Sequence, residues 1–396
     1  MLFQTLDDKK ECLGVYINGE INYDGVPDNL TATWSFADYL AGRDVQYASL
    51  YCAPNDIDTA CPDSLKDQWE DVSEKMRAFL RSFAEAKVDL NENCFFELVP
   101  ERFLLEYCEL KNKITKHVLE VHEKPQNYDF LLGLVQLSEK IKYQKLNLDL
   151  SGLNGGLSSF KTRQWKKKLA SIKPYVVYNI FGTKTGRLTT KKDSFPILTL
   201  PKEHRKAIKP SNDWLVELDF NAAELRTLLA LSGKEQPTED IHEWNAKNVY
   251  KGSVTRTEAK QRIFAWLYNP ESKDYLSNRA YDRNVVLQKY WDGEQVQTHY
   301  NRIIPADKHH ALNYIIQSTT SDLFLRRAIA VNKLLKDKKS KIIFCIHDSL
   351  VIDFSNEDRE FLLDVIKEFS ETELGVFKAN IQAGKNFGEM KEVKWK

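Results

Sequence analysis

Apolar residues along the chain alternate between two kinds of pattern. Runs with strand character fall at 13–19 (LGVYING), 45–52 (VQYASLYC), 214–220 (WLVELDF) and 341–354 (KIIFCIHDSLVIDF). The last is two apolar runs around a polar turn and predicts a hairpin with His347, Asp348 and Ser349 at its tip. Helical spacing predicts an amphipathic helix over 101–122, where Tyr107, Leu110, Ile114, Val118 and Val121 recur at three- and four-residue steps. Further helices are expected near 64–87 and 128–143. The segment 256–269 (RTEAKQRIFAWLYN) lacks Gly and Pro and reads as a helix capped by Thr255. The Gly- and Ser-rich stretch 151–159 reads as a loop, and no internal repeat is visible.

A chain of 396 residues exceeds one ordinary compact domain, so two or three units are expected. No apolar run is long enough to span a membrane. The start, MLFQTLDDKKEC, lacks a basic stretch followed by an apolar core, so no secretory leader and a cytoplasmic setting are expected, the host cytoplasm if the protein is viral. The six cysteines contain no C-x-x-C pair, which predicts reduced thiols rather than a zinc site. Net charge is zero, but its distribution is uneven: the first 75 residues are acidic, whereas 161–209 are strongly basic, with only Asp193 and Glu203 opposing the cations. Such a stretch, with Lys166, Lys167 and Lys168 at its centre, suits a polyanionic partner; a merely solvated face has the same composition.

Two acids and one helix carry the candidate chemistry. Asp219 ends an apolar strand and Asp348 sits in the hairpin turn. Carboxylates there are costly unless paired or bound to a cation, and two side by side could bridge two magnesium ions; singly, each also fits a solvent-facing strand end. On the helix, Arg256, Lys260, Phe264 and Tyr268 fall at four-residue steps and form one gently spiralling stripe. Two cations followed by two aromatics match a nucleoside triphosphate, phosphates at one end and a flat base at the other; an ordinary amphipathic helix offers the same spacing.

Taken in order, these segments resemble the family A DNA polymerases, the bacterial polymerase I family, in a compact phage-type form. LDFNAAELR at 218–226 is similar to the family's first palm motif, RTEAKQRIFAWLY at 256–268 to the fingers helix, and IHDSLVID at 346–353 to the second palm motif. FGTKTGRLTT at 181–190, DIH at 240–242, ALNYIIQSTTSDL at 311–323 and GKNF at 384–387 match in the same order, so the resemblance covers roughly 96–396. It implies an α+β right-hand fold with a palm built on an antiparallel sheet, fingers and thumb, and a small N-terminal region. Asp219 and Asp348 would be catalytic metal ligands for two Mg2+ ions, with the Phe220 carbonyl assisting. His242, Arg256 and Lys260 would hold the triphosphate, Phe264 and Tyr268 would pack at sugar and base, and Glu224 would close off the 2′ position of the sugar. Arg187 and Gln317 would read the minor groove at the primer end, with Asn313 and His347 also on the DNA side. The implied partners are primer-template DNA and deoxynucleoside triphosphates.

Departures from the family pattern are specific. Ser349 stands where the second palm motif usually has Glu, and Ala265 and Asn269 stand where the fingers helix usually has Gly. The segment 270–308 is short, which predicts reduced fingers. No Asp-x-Glu occurs in 1–95, so that region is expected to be an exonuclease remnant or a docking module, with proofreading absent or supplied by a separate exonuclease or processivity subunit. The expected division is 1–95, a thumb-like helical region at 96–175, palm at 176–235 and 300–396, and fingers at 236–299. Ser349 also admits a single-subunit RNA polymerase, which Glu224 and TGRLTT oppose. A retired, DNA-binding subunit is opposed by retention of both Asp residues and the whole stripe.

Overall fold

The computed structural model describes residues 1–8, 11–90, 92–151 and 160–393, so the loop expected at 151–159 lies outside the described residues apart from Ser151. The chain divides into two compact units, Met1–Tyr143 and Gln144–Lys396. Among the described residues no helix is long and apolar enough to cross a membrane. Five of the cysteines are buried, Cys12 is half-buried, and all six are free thiols.

In the first unit, strands Gln4–Asp8, Glu11–Ile17 and Glu20–Asn22 form a small antiparallel sheet. Asn18 and Gly19, both at positive φ, make the tight turn between its last two strands, as an Asn-Gly pair between strands should. So small a sheet cannot bury its own apolar face. Helices Lys66–Glu85 and Glu101–Val121 complete the core, in which Leu6, Tyr16, Trp69, Val72, Phe103, Ile114 and Val118 pack together. The expected boundary at 95/96 falls inside this unit. Helix 101–121 belongs to the N-terminal core, and the region expected at 96–175 is split after Tyr143. The run 45–52 also departs from expectation: only Gln46–Tyr47 is strand, and Ala48–Tyr51 is helical. Its apolar residues carry no clear period, and burial of Ala48 and Leu50 decides the outcome.

The second unit is built on a five-stranded antiparallel sheet in the order Lys341–Ile346, Ser349–Phe354, Trp214–Phe220, Ala379–Gly384, Lys391–Glu392. The central strand sets Asp219 opposite Ser349 on one side and opposite Asn380 on the other. Strand alternation puts Val216, Leu218 and Phe220 on the reverse face. There the Phe220 ring stacks on Phe369 of helix Leu362–Ser370 at 4.2 Å between centroids, and Phe324 of helix Ala311–Leu334 meets Phe369 edge-on. The hairpin turn is His347–Asp348, with His347 at φ 53°. Ser349 is therefore not at the tip but opens the return strand, paired with Ile346. Helices Ala223–Leu231, Arg256–Tyr268, Tyr275–Tyr281 and Arg283–Tyr290 share a core with the start of helix Ala311–Leu334, centred on Leu228, Ile263, Trp266, Tyr281, Val286 and Ile315. Thr255 caps the Arg256–Tyr268 helix in a reciprocal capping box with Glu258.

Candidate active site

Asp219 and Asp348 meet where the central strand ends beside the hairpin turn. Burial pushes the Asp219 carboxyl up to about 7, with the charges of Asp348 and Glu217 adding to the effect; a 3.3 Å hydrogen bond from Asn380 and the Lys260 cation oppose it. Burial likewise raises Asp348, against the pull of His347 and Arg187. Two desolvated carboxylates that repel each other are a donor set suited to a divalent cation. Among the described residues no group of three or more His, Cys, Asp or Glu side chains converges to hold a metal. An ion here would therefore complete its shell from water, substrate oxygens and the Phe220 carbonyl. The Phe220 side chain itself is buried among aromatics on the reverse face.

Glu224 is the second residue of the helix that follows the central strand, and its side chain is only 11% exposed. Arg187 Nη2 donates to one carboxylate oxygen at 2.5 Å, and the Tyr268 hydroxyl donates to the other. Burial raises the Glu224 pKa, the Arg187 cation opposes the rise, and the charge of Asp348 adds to it, so the two acids lie in one electrostatic neighbourhood. Arg187 is placed by Gly186 at φ 76°. A Cβ there would come within 2.5 Å of Arg302 Nη2 and 3.1 Å of Asp322 Oδ1, an ion pair closed at 2.6 Å in which only Asp322 is buried.

The fingers-like stripe runs alongside. Phe264 stacks on Tyr268 at 5.9 Å with planes 9° apart, and the His242 ring lies 5.7 Å from Phe264. Lys260 acts electrostatically on both Asp219 and His242. Burial lowers His242 to about 4, so the ring is neutral near pH 7 and offers a hydrogen bond rather than charge; its Nδ1 is buried without a partner among the described residues. Arg256 is held by Asp240 at 2.7 Å. The structure thus brings Asp219, Asp348, Glu224, Arg187, His242, Lys260, Phe264 and Tyr268 into one neighbourhood, with Arg256 tied to its edge.

Asn313 and Gln317 lie one turn apart on helix Ala311–Leu334, both half-buried, and Asn313 Oδ1 is buried without a partner among the described residues. His347 is exposed in the hairpin turn. Lys166, Lys167 and Lys168 lie on helix Phe160–Ser171, where Lys168 sits 4.6 Å from the Trp165 ring centroid.

Sequence reasoning passed over Glu217, whose carboxylate accepts the Ser349 hydroxyl at 2.7 Å. The signal was present: Glu217 and Asp219 are two apart on one strand and must share a face. It also passed over Asn221, Arg226 and Asp240, whose links depend on side chains distant in sequence.

No family model matches the chain. It is 24% identical over 265 residues to DNA polymerase I of Borreliella burgdorferi, covering 52% of this chain and 29% of that protein. With DNA polymerase I of Lactococcus lactis it shares 26% over 266 residues (53% and 30%), and with that of Bacillus subtilis 25% over 260 residues (52% and 30%). The chain thus spans about three tenths of the length of the curated relatives it matches. Its fold matches the polymerase domain of Pol1 from M. smegmatis, solved in complex with DNA primer-template and dNTP. The TM-score is 0.57 at 14% identity, over 72% of this chain and 76% of that one. The fold is that of an α+β polymerase domain. In sequence the chain is thus similar to bacterial DNA polymerase I, and in fold to a polymerase domain.

Proposed function

We propose that this chain is a template-directed DNA polymerase that extends a primer with deoxynucleoside triphosphates in phage-type replication. The observation that carries the reading is the pair of half-buried carboxylates, Asp219 and Asp348, sharing one neighbourhood with the Glu224–Tyr268 bond and the Lys260 cation. Asp219, Asp348 and the Phe220 carbonyl would hold two Mg2+ ions, which when bound would activate the primer hydroxyl and stabilise the departing diphosphate. Arg256, Lys260 and a neutral His242 bind the triphosphate, by charge from the first two and by a hydrogen bond from the third. Phe264 and Tyr268 pack against base and sugar, and Glu224 walls off the 2′ position. Arg187 and Gln317 face the minor groove, where correct pairs offer acceptors in similar places, and Asn313 touches the template side. Lys166, Lys167, Lys168 and His347 lie toward the DNA backbone. The protein's share in an in-line attack on the α-phosphate is positioning and charge neutralisation. The short 270–308 segment supports a compact, phage-type form, and the Met1–Tyr143 unit is a candidate dock for a separate exonuclease or processivity subunit.

Primer extension with all four deoxynucleotides and magnesium tests the reading. Template-directed extension that stops on omission of the complementary nucleotide is expected. No extension, or extension with ribonucleotides in preference, would overturn it.

A further inference from the structure

Asp240 lies outside the cation–aromatic stripe but touches several parts of the site at once. It caps the short helix Ile241–Trp244, its Oδ1 accepting the backbone N–H groups of His242 at 2.9 Å and Glu243 at 3.0 Å. The same carboxylate takes Arg256 in a two-pronged pair, Nε to Oδ1 at 3.1 Å and Nη2 to Oδ2 at 2.7 Å. Oδ2 also accepts Asn221 Nδ2 at 2.8 Å. Asn221 is itself fixed, because its Oδ1 accepts Ile241 N at 2.9 Å and Arg226 Nη2 at 3.1 Å. Arg226 is fully buried, and its other donors go to the carbonyls of Asn221, Pro237 and Glu239. Asn221 follows Asp219 by two residues, so two side chains connect the metal-ligand strand to the first cation of the stripe.

The chemistry of the pair leaves Arg256 competent. A guanidinium carries five N–H donors, and Asp240 engages two of them. Those on Nη1 and the second on Nη2 remain, on a side chain 49% exposed. Burial opposes ionisation of Asp240, but its bonds from Arg256, Glu243 N and Asn221 prevail and hold its carboxyl well below the usual carboxylate range.

Building on the polymerase reading, we propose that Asp240 is a positioning residue for the incoming triphosphate, holding Arg256 with its free donors available to phosphate at a distance from Asp219 set through Asn221. Fixing the cation before the ligand arrives removes an ordering cost that the triphosphate would otherwise meet on binding. A carboxylate that merely occupied Arg256 until phosphate displaced it would have the opposite effect on affinity.

The test uses Asp240→Asn, Arg256→Ala and the double variant in the full chain. Asn still accepts the helix-capping N–H bonds, but it turns a donor toward Arg256 and Asn221. Two quantities are read: equilibrium binding of the complementary deoxynucleoside triphosphate to a complex with dideoxy-terminated primer-template, and kcat against KM for one incorporation. Expected for Asp240→Asn is binding weaker by about tenfold, a matching rise in KM and a smaller change in kcat. On the Arg256→Ala background the same substitution should change nothing further, since its effect passes through Arg256. Unchanged or tighter binding in Asp240→Asn, or losses that add in the double variant, would overturn the proposal. Should Asp240→Asn fail to fold, Asp240→Ser, which caps but cannot reach Arg256, takes its place in the same cycle. Failure of the unmutated chain to extend a primer counts against the polymerase reading. Additive losses in a chain that does extend count against this inference alone.

Discussion

The hydroxyl of Tyr268, last residue of the Arg256–Tyr268 helix, donates a hydrogen bond to Glu224, on the helix that leaves the Asp219 strand. Arg187 holds the other carboxylate oxygen, so Glu224 is fixed from both sides. A ribose 2′-hydroxyl entering this space would collide with the carboxylate or break its bonds, at about 1–3 kcal/mol for a group left unpaired. Glu224→Ala is therefore expected to relax the preference for deoxyribose by about tenfold to a hundredfold. Tyr268→Phe, which keeps the ring and loses the bond, should relax it less. The measurement is incorporation of a ribonucleotide and its deoxy counterpart opposite one template base; an unchanged preference in Glu224→Ala removes the gate.

Asp219→Ala and Asp348→Ala should each reduce extension by at least about a hundredfold, a loss of roughly 3 kcal/mol of transition-state stabilisation. Primer-template binding should remain, because the grip on DNA is assigned to residues elsewhere. Extension and gel-shift assays on the same preparations separate the two. Extension surviving at more than a few per cent would remove that acid from the reaction centre.

The raised Asp219 pKa has a consequence for stability without metal. Between the ordinary carboxylate value of 3.8 and about 7, the folded chain keeps this proton and the unfolded chain releases it. Unfolding thus releases a proton in that window, and stability falls as pH rises through it. Asp219→Asn removes the ionisable group. In chelator it should be more stable than the unmutated chain at pH 8, by on the order of 2 kcal/mol, and show little gain at pH 4. Equal gains at both pH values would mean that the Asp219 charge is not the cause.

Affinity for primer-template should fall steeply with salt, by about 0.9 log units per phosphate contact per log unit of salt for duplex DNA. Replacing Lys166, Lys167 and Lys168 by Ala should flatten that slope by up to about three contacts' worth. An identical slope would leave the run as a solvated face of its helix.

Legibility from sequence followed the range of the forces involved. Strand 214–220 is found as read, and helix 256–268 as read but for its last residue, because alternation, spacing and the Thr255 cap are local. Resemblance set Tyr268 and Glu224 at the same sugar, but the bond between them spans 44 residues and is seen only in the structure. The hairpin was visible, yet Ser349 was set one position too far into the turn, since pairing with Asp219 is what makes it strand. Helix 101–121 is amphipathic wherever it packs, and nothing local says that its partners are Leu6 and Val72. Asp240 was seen only as part of DIH; its bonds to Arg256 and Asn221 span 16 and 19 residues.

The facing of Asp219 and Ser349 means that the accuracy of the reaction centre is enforced by greasy side chains that never meet substrate. A slip of the Ser349–Phe354 strand by one residue would turn Leu350 and Ile352 to the opposite face and carry Asp348 away from Asp219. Burying an aliphatic side chain of that size is worth about 1.5–3 kcal/mol. Misalignment would displace several at once, so it is suppressed by orders of magnitude. Variation among Val, Ile and Leu on that face should be freely tolerated, whereas a single inserted residue in the hairpin should silence the enzyme while leaving it folded.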